Sequence, residues 1–263
     1  MELLTPCSLD EALELKAERP DAVPIAGGTD VMVAINFDRL RPGTVLNLGE
    51  VDELRGWSRE NGTVRLGARA TYTELMAPDA AAALPALAEA ARTVGSPQIR
   101  NRGTVGGNLG TASPAGDALP PLLVGEATVE LRSVRGERRL PLLAFLVGPK
   151  RNALEPDELI VGVTVRVPSA RETFMKVGPR NAMVIAVCSL ALRVDRENGL
   201  LAASFGSAGP TTGLVRATLE EADTFAEQVA AAASPIDDVR GTAAYRRHAL
   251  RVLTARALER CLA

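Results

Sequence analysis

The chain is poor in the side chains that bind metals and run redox chemistry. Its only histidine is His248, and its three cysteines, Cys7, Cys188 and Cys261, lie far apart. One histidine excludes H-E-x-x-H and every multi-histidine metal site. Scattered thiols without a C-x-x-C pair exclude a disulfide framework, a structural zinc site and an iron–sulfur cluster, which normally takes four thiolates. Aromatic residues make up 3% of the sequence, so few rings are available to stack on a planar ligand; Trp57, Tyr72 and Tyr245 read as packing residues. Lysine occurs only at Lys16, Lys150 and Lys176, the remaining cations being arginine. With a net charge of −2 there is no global basic field to recruit nucleic acid or an anionic membrane. No apolar run reaches transmembrane length, and the start of the chain, with Glu2, Asp10 and Glu11, lacks a signal-peptide pattern. A reduced, cytoplasmic protein is expected, with no nucleic-acid partner and no membrane insertion.

Glycine is well represented, and it is concentrated in two turns. Ala26-Gly27-Gly28-Thr29-Asp30 and Gly103-Thr104-Val105-Gly106-Gly107-Asn108 each place adjacent glycines before a small polar residue where an extended segment ends. Glycine admits positive φ and leaves no Cβ to block a ligand, so successive N–H groups can turn onto one anion. Two such turns in one domain suggest a diphosphate held between them by main-chain donors. Either turn alone reads rather as a structural feature, and neither fits G-x-G-x-x-G or a Walker A sequence.

Around these turns the pattern is α+β. Ser8-Leu9-Asp10-Glu11 is a capping box opening a helix with Leu9, Ala12, Leu13 and the Lys16 stem on one face. Ala22 to Ile25 reads as a strand, Thr29 to Phe37 as a helix and Thr44 to Leu48 as a strand. A hairpin follows around Asn61-Gly62. Helices are expected over Thr71 to Ala77 and Ala80 to Thr93, and a long loop over Val94 to Pro121. Strands follow over Ala127 to Ser133, Glu137 to Leu140 and Glu158 to Val167. Pro168 to Arg171 marks a boundary. Beyond it, Thr173 to Val177, Val184 to Val194 and Leu201 to Phe205 suggest an antiparallel meander. Helices are expected over Leu214 to Ala230 and Gly241 to Leu262, the last burying Tyr245, Ala249, Leu253, Ala257 and Cys261 as a stripe.

Flanking residues make the turns specific. Pro24-Ile25-Ala26-Gly27-Gly28-Thr29-Asp30, followed by Ile99-Arg100-Asn101-Arg102-Gly103-Thr104-Val105-Gly106-Gly107-Asn108 and Thr111-Ala112-Ser113-Pro114-Ala115-Gly116-Asp117, closely resembles the FAD-binding subunit of the molybdenum hydroxylases, the xanthine dehydrogenase and carbon monoxide dehydrogenase family. Phe174-Met175-Lys176-Val177 with Arg180-Asn181-Ala182, and Asp238 to His248, resemble that family's C-terminal flavoprotein domain. The resemblance implies a two-part FAD-binding domain of the vanillyl-alcohol oxidase type over residues 1–168, with subdomains of about 1–52 and 53–168. A smaller α+β domain over residues 169–263 would follow.

By position, the resemblance implies that Pro24, Ile25, Ala26, Gly27, Gly28, Thr29, Asp30 and Val31, with Thr104, Val105, Gly106, Gly107 and Asn108, enclose the FAD pyrophosphate. Thr111 and Asp117 would make polar contacts with the cofactor, and Ile160 an apolar or backbone contact. Lys176 would lie near the flavin and raise its potential. Arg100 and Arg102 offset phosphate charge, meet a partner, or are ordinary surface arginines. Gly148-Pro149-Lys150-Arg151-Asn152 departs from a threonine-ending turn common in relatives. No catalytic side chain and no metal ligand is assigned. Iron–sulfur clusters and molybdopterin are implied only in partners, a small iron–sulfur subunit and a large molybdopterin subunit. Electrons would pass through FAD to NAD⁺, a quinone or oxygen. A self-contained FAD-dependent oxidase or reductase is the alternative, and a subunit without redox work a third reading.

Overall fold

The computed structural model describes residues 1–167 and 170–263. Of the boundary expected over Pro168 to Arg171, Pro168 and Ser169 fall outside the described residues.

The first structural layer is a three-stranded parallel sheet. β1 (Glu2–Leu4), α1 (Leu9–Glu18), β2 (Val23–Ile25), α2 (Val31–Asn36) and β3 (Thr44–Asn47) follow one another, and β3 lies between β1 and β2. Ser8 caps α1 by accepting from the Glu11 N–H, while the Glu11 carboxylate reaches back to the Cys7 N–H, one residue before the cap. Leu9, Ala12 and Leu13 are buried on the predicted face. The buried Lys16 ammonium donates to the Pro20 and Ala22 carbonyls, which fixes the turn leading into β2. Burial lowers the Lys16 pKa, opposed by Asp21.

β4 (Trp57–Glu60) and β5 (Thr63–Gly67) form the predicted hairpin. Asn61 and Gly62 both have positive φ, as a two-residue turn of this hand requires. Short helices follow: α3 (Tyr72–Leu75), α4 (Pro78–Ala83), α5 (Pro85–Thr93), α6 (Pro97–Arg102), α7 (Val105–Thr111) and α8 (Leu119–Val124). The long loop expected over Val94 to Pro121 is therefore largely helical. Pro97 starts α6 and Pro120 lies in the first turn of α8, positions where a missing N–H costs nothing. β6 (Thr128–Ser133), β7 (Gly136–Pro141), α9 (Leu142–Phe145), β8 (Leu146–Gly148), β9 (Arg151–Asn152) and β10 (Leu159–Arg166) complete this region. The antiparallel order β4-β5-β10-β6-β7 puts the β-branched β10 at the sheet centre, where it is buried along most of its length.

The third layer is a four-stranded meander of β11 (Arg171–Val177), β12 (Cys188–Asp195), β13 (Leu200–Gly206) and β14 (Gly213–Thr218). It is followed by α10 (Ala222–Ala232) and α11 (Ala243–Leu262). Two expectations are corrected here. Leu214 begins no helix: it lies in β14, paired with β13, and a Thr218–Glu221 capping box starts the helical run later. Tyr245 is half-exposed, and Arg246 is buried in its place with Ala249, Leu253, Ala257 and Cys261. Arg246 donates to the Ser207 carbonyl and pairs with Asp238.

One face of the meander packs on α5 and α8. Phe174 seats among Ala86, Ala90, Val124 and Ala191. Glu89 of α5 accepts from the Thr173 hydroxyl and the Phe174 N–H, and its other oxygen meets Arg260 at 2.6 Å.

Candidate functional site

The end of β5 organises the second glycine turn. The Tyr72 N–H donates to the Gly103 carbonyl, and the Val105 and Gly106 N–H groups donate to Ala70 and Ala68 at 2.9 and 2.8 Å. The turn then lies so close to the strand end that a Cβ on Gly106 would sit 2.6 Å from the Ala68 oxygen. Thr104 caps α7, its hydroxyl accepting from the Gly107 N–H. The Asn108 N–H continues to the Thr104 carbonyl.

The first turn leaves the carboxyl end of β2 and packs directly on the second. A Cβ on Gly27 would fall 1.6 Å from the Arg102 carbonyl oxygen and 3.1 Å from the Gly103 nitrogen. Gly28 has a φ of +76°, which turns the chain into α2. The absence of a side chain at Gly27 is therefore what lets the turns touch.

Between the turns and the β10 start lies a cleft of about 330 Å³, within the size range of small-molecule sites. Pro24, Ala26, Gly27, Gly28, Thr29, Asp30 and Val31 line one side, and Thr104, Gly106, Gly107, Asn108 and Thr111 the other. Leu154, Leu159 and Ile160 supply an apolar wall. The Thr111 hydroxyl donates to the Gly107 carbonyl at 2.9 Å and reaches Asp30 at 3.4 Å, bringing the two sides together.

The two turns differ in what their amides can do. The N–H groups of Gly27, Gly28, Thr29, Asp30 and Val31 find no acceptor among the described residues. Five consecutive unengaged donors in residues lining a cleft are available to an acceptor that enters it. In the second turn the amides of Val105, Gly106, Gly107 and Asn108 are all engaged within the protein, and only that of Thr104 is free. The main-chain donors expected from both turns are thus unequally available: the first turn leaves five unengaged, and the second leaves only that of Thr104. The buried Asn108 Oδ1, on the cleft wall, has no hydrogen-bond partner, a second sign of a polar ligand.

Of the remaining sequence-derived residues, Ile25 and Val105 pack behind the lining; Ile25 Cδ1 lies 3.3 Å from the Cβ position of Gly28. Asp117 and Lys176 are outside the lining and meet each other across the helix–meander contact. Lys176 Nζ is 2.5 Å from Asp117 Oδ2 and 3.2 Å from the Thr93 carbonyl. Both side chains are buried, and Asp117 Oδ1 has no partner. Burial pushes the Asp117 carboxyl up to about 6 against the pull of Lys176. Arg100 is occupied with the carbonyls of Arg92, Val94 and Gly95, and Arg102 is exposed. Arg69, Leu48 and Glu158 line the cleft without having been singled out as site residues in the sequence, and Tyr72, expected there as a packing residue, lines it too. The Thr71–Glu74 capping box marks the end of β5 and was the available signal for Arg69 and Tyr72. Burial drives the Tyr72 phenol far above its usual range. Among the described residues no cluster of metal-binding side chains occurs, and no helix is long and apolar enough to cross a membrane.

Comparison with known proteins gives a consistent result. Residues 1–170 match the family described as FAD binding domain in molybdopterin dehydrogenase. The chain is 39% identical over 204 residues to the nicotinate dehydrogenase FAD-subunit of Eubacterium barkeri, covering 74% of this chain and 69% of that one. It is 31% identical to the putative xanthine dehydrogenase FAD-binding subunit of Escherichia coli K12, covering 97% of this chain and 94% of the relative. A chain of carbon monoxide dehydrogenase from Hydrogenophaga pseudoflava superposes with a TM-score of 0.92 at 27% identity, over 100% of this chain and 97% of that one. With residues 1–170 matching that family and FAD-binding subunits matched over nearly the whole chain, the chain belongs to the FAD-binding subunits of the molybdopterin dehydrogenases.

Proposed function

We propose that the chain is the electron-transfer subunit of a molybdenum-containing hydroxylase or dehydrogenase complex. In this reading the cleft holds the FAD diphosphate on the free amides of Gly27 to Val31 and Thr104. Ala26 and Pro24 shape the entry to the turn, and Gly106, Gly107 and Asn108 form the facing wall. Asp30, Thr111 and Asp117 meet cofactor hydroxyls, and Ile160 lies against a ring. The single observation that carries the reading is the run of five unengaged amides in residues that line the cleft, since a diphosphate needs several donors and each bond to a charged group contributes about 1.5–3 kcal/mol.

FAD exchanges electrons singly or in pairs, which suits a relay between one-electron clusters and a two-electron acceptor. The donor would be a small iron–sulfur subunit fed by a large molybdopterin subunit, and the acceptor NAD⁺, a quinone or oxygen. Residues 1–168 form the FAD-binding domain and 169–263 the C-terminal domain in this scheme, in the cytoplasm. Lys176, held by Asp117, sets the charge near the flavin and leaves catalysis to the cofactor.

The test is a visible spectrum of the natively purified protein with identification of co-purifying chains. Flavin absorption together with iron–sulfur and molybdenum partners supports the proposal. A colourless chain that takes up no added FAD, or turnover of an organic substrate by the isolated flavoprotein, overturns it.

A further inference from the structure

Arg69 lies two residues beyond β5 and is held on the cleft wall. Its side chain is 13% exposed, and one guanidinium nitrogen, Nη1, donates to the Val51 carbonyl at 2.9 Å. Its Nε and Nη2 groups donate to no atom among the described residues. The nearest carboxylate, Asp52, stands 3.9 Å away and is bound more closely by Arg55, at 2.9 Å. The charged groups acting on Arg69 are Arg55 and Arg102 on one side, Asp52 and Glu50 on the other. Counting Arg69 itself, three cations face two carboxylates. A largely buried guanidinium with open donors and no carboxylate of its own is stabilised by an anion entering the cleft.

We propose that Arg69 is the side-chain cation that binds the phosphates of the adenosine-diphosphate half of the flavin dinucleotide, joining the main-chain donors of the first turn. This rests on the assignment of the cleft to FAD. It transfers to Arg69 the charge-offsetting role considered for Arg100 and Arg102, the first of which is occupied with backbone carbonyls. Every residue lining the cleft lies between positions 23 and 160, so the nucleotide half is held without the C-terminal meander. ADP alone therefore occupies the cleft.

The experiment compares ADP, adenosine and FAD binding to the full apoprotein by titration calorimetry, for the wild type, Arg69→Met and Arg69→Lys. Lost charge-assisted bonds weaken ADP and FAD about tenfold to a hundredfold in Arg69→Met. Adenosine binding changes little, and Arg69→Lys falls between. The affinity ratio of ADP to adenosine is the decisive readout, because a residue that only supports Val51 affects both ligands equally. An unchanged ratio in Arg69→Met, with FAD still bound by the wild type, overturns the role of Arg69. Failure of the wild type to bind FAD overturns the cofactor assignment instead. Thermal melts of the apoproteins identify a variant that has merely failed to fold, and Arg69→Lys, which keeps the charge and stem, then carries the comparison through the same ratio.

Discussion

Gly27→Ala isolates the contact between the two turns. The added methyl would stand 1.6 Å from the Arg102 carbonyl oxygen, where real Cβ contacts stay beyond 3.0 Å, so the turns must separate by about 1.4 Å. The obstacle is backbone and cannot rotate away. A donor moved that far from a phosphate oxygen leaves hydrogen-bond range. Misplacing two of the five free amides removes about 3–6 kcal/mol, or roughly a hundredfold to ten-thousandfold in FAD affinity. The apoprotein loses much less, about 1–3 kcal/mol, as expected for an overpacked site that yields. It can yield because α2, which follows the turn, buries none of its residues. Titration of apoprotein with FAD measures the first quantity, and denaturant unfolding the second. Gly43→Ala is the control, since nothing lies within 4 Å of its Cβ position. A folded Gly27→Ala variant that binds FAD within about threefold of wild type would refute the reasoning.

Three other perturbations probe the buried charges. Burial lifts Glu172 from 4.5 to about 7 against the pull of Arg193, and its Oε1 is unpartnered. Between those values the folded chain keeps a proton that the unfolded chain has lost, so stability declines as pH rises through the window, by up to about 3 kcal/mol. Glu172→Gln should flatten that decline in thermal melts from pH 5 to 8, and equal slopes for both proteins would count against it. Lys176→Ala leaves Asp117 buried without its cation. The variant should lose on the order of 3 kcal/mol at pH 8 and less at pH 5, where Asp117 is protonated. Its flavin potential should fall with FAD stoichiometry intact, and an unchanged potential in spectroelectrochemical titration would remove Lys176 from flavin tuning. Asp238→Ala strands the Arg246 guanidinium, 2% exposed, with only the Ser207 carbonyl, and should cost about 3 kcal/mol in denaturant unfolding. Arg240 first and Arg246 second hold the Asp238 carboxyl well below the usual range. Its contribution therefore persists at neutral pH and is lost only in strong acid, and a wild-type loss already at pH 5 would contradict the pairing.

Local chemistry made much of this chain legible. Capping residues, the Asn-Gly turn and the β-branched run of β10 act within a few residues of themselves, and each element they predict is present. Both glycine turns were visible for the same reason. Which turn keeps its amides free was not visible, because Val105 and Gly106 find their acceptors in Ala70 and Ala68, more than thirty positions away. The segment from Val94 to Pro121 read as loop because its helices are only six or seven residues long and rich in glycine and proline. The misreading at Leu214 had a remedy in the sequence: Thr218 and Glu221 are a cap pair, and a cap starts a helix rather than interrupting one. On α11 a one-residue change of phase exchanged Tyr245 for Arg246, and the pairing with Asp238 and the bond to the Ser207 carbonyl make an arginine tolerable there. Arg69 had only the neighbouring Thr71–Glu74 capping box to mark its place; its significance comes from the wall it stands on.

The most direct measurement is a structure of the chain loaded with FAD, read at the phosphate oxygens. They are predicted to lie about 2.7–3.2 Å from backbone nitrogens of the Gly27 to Val31 turn, with the Val105 to Asn108 amides still bonded to the protein. Phosphates seated on the second turn instead, or a flavin bound with the first turn's amides facing away, would contradict the account.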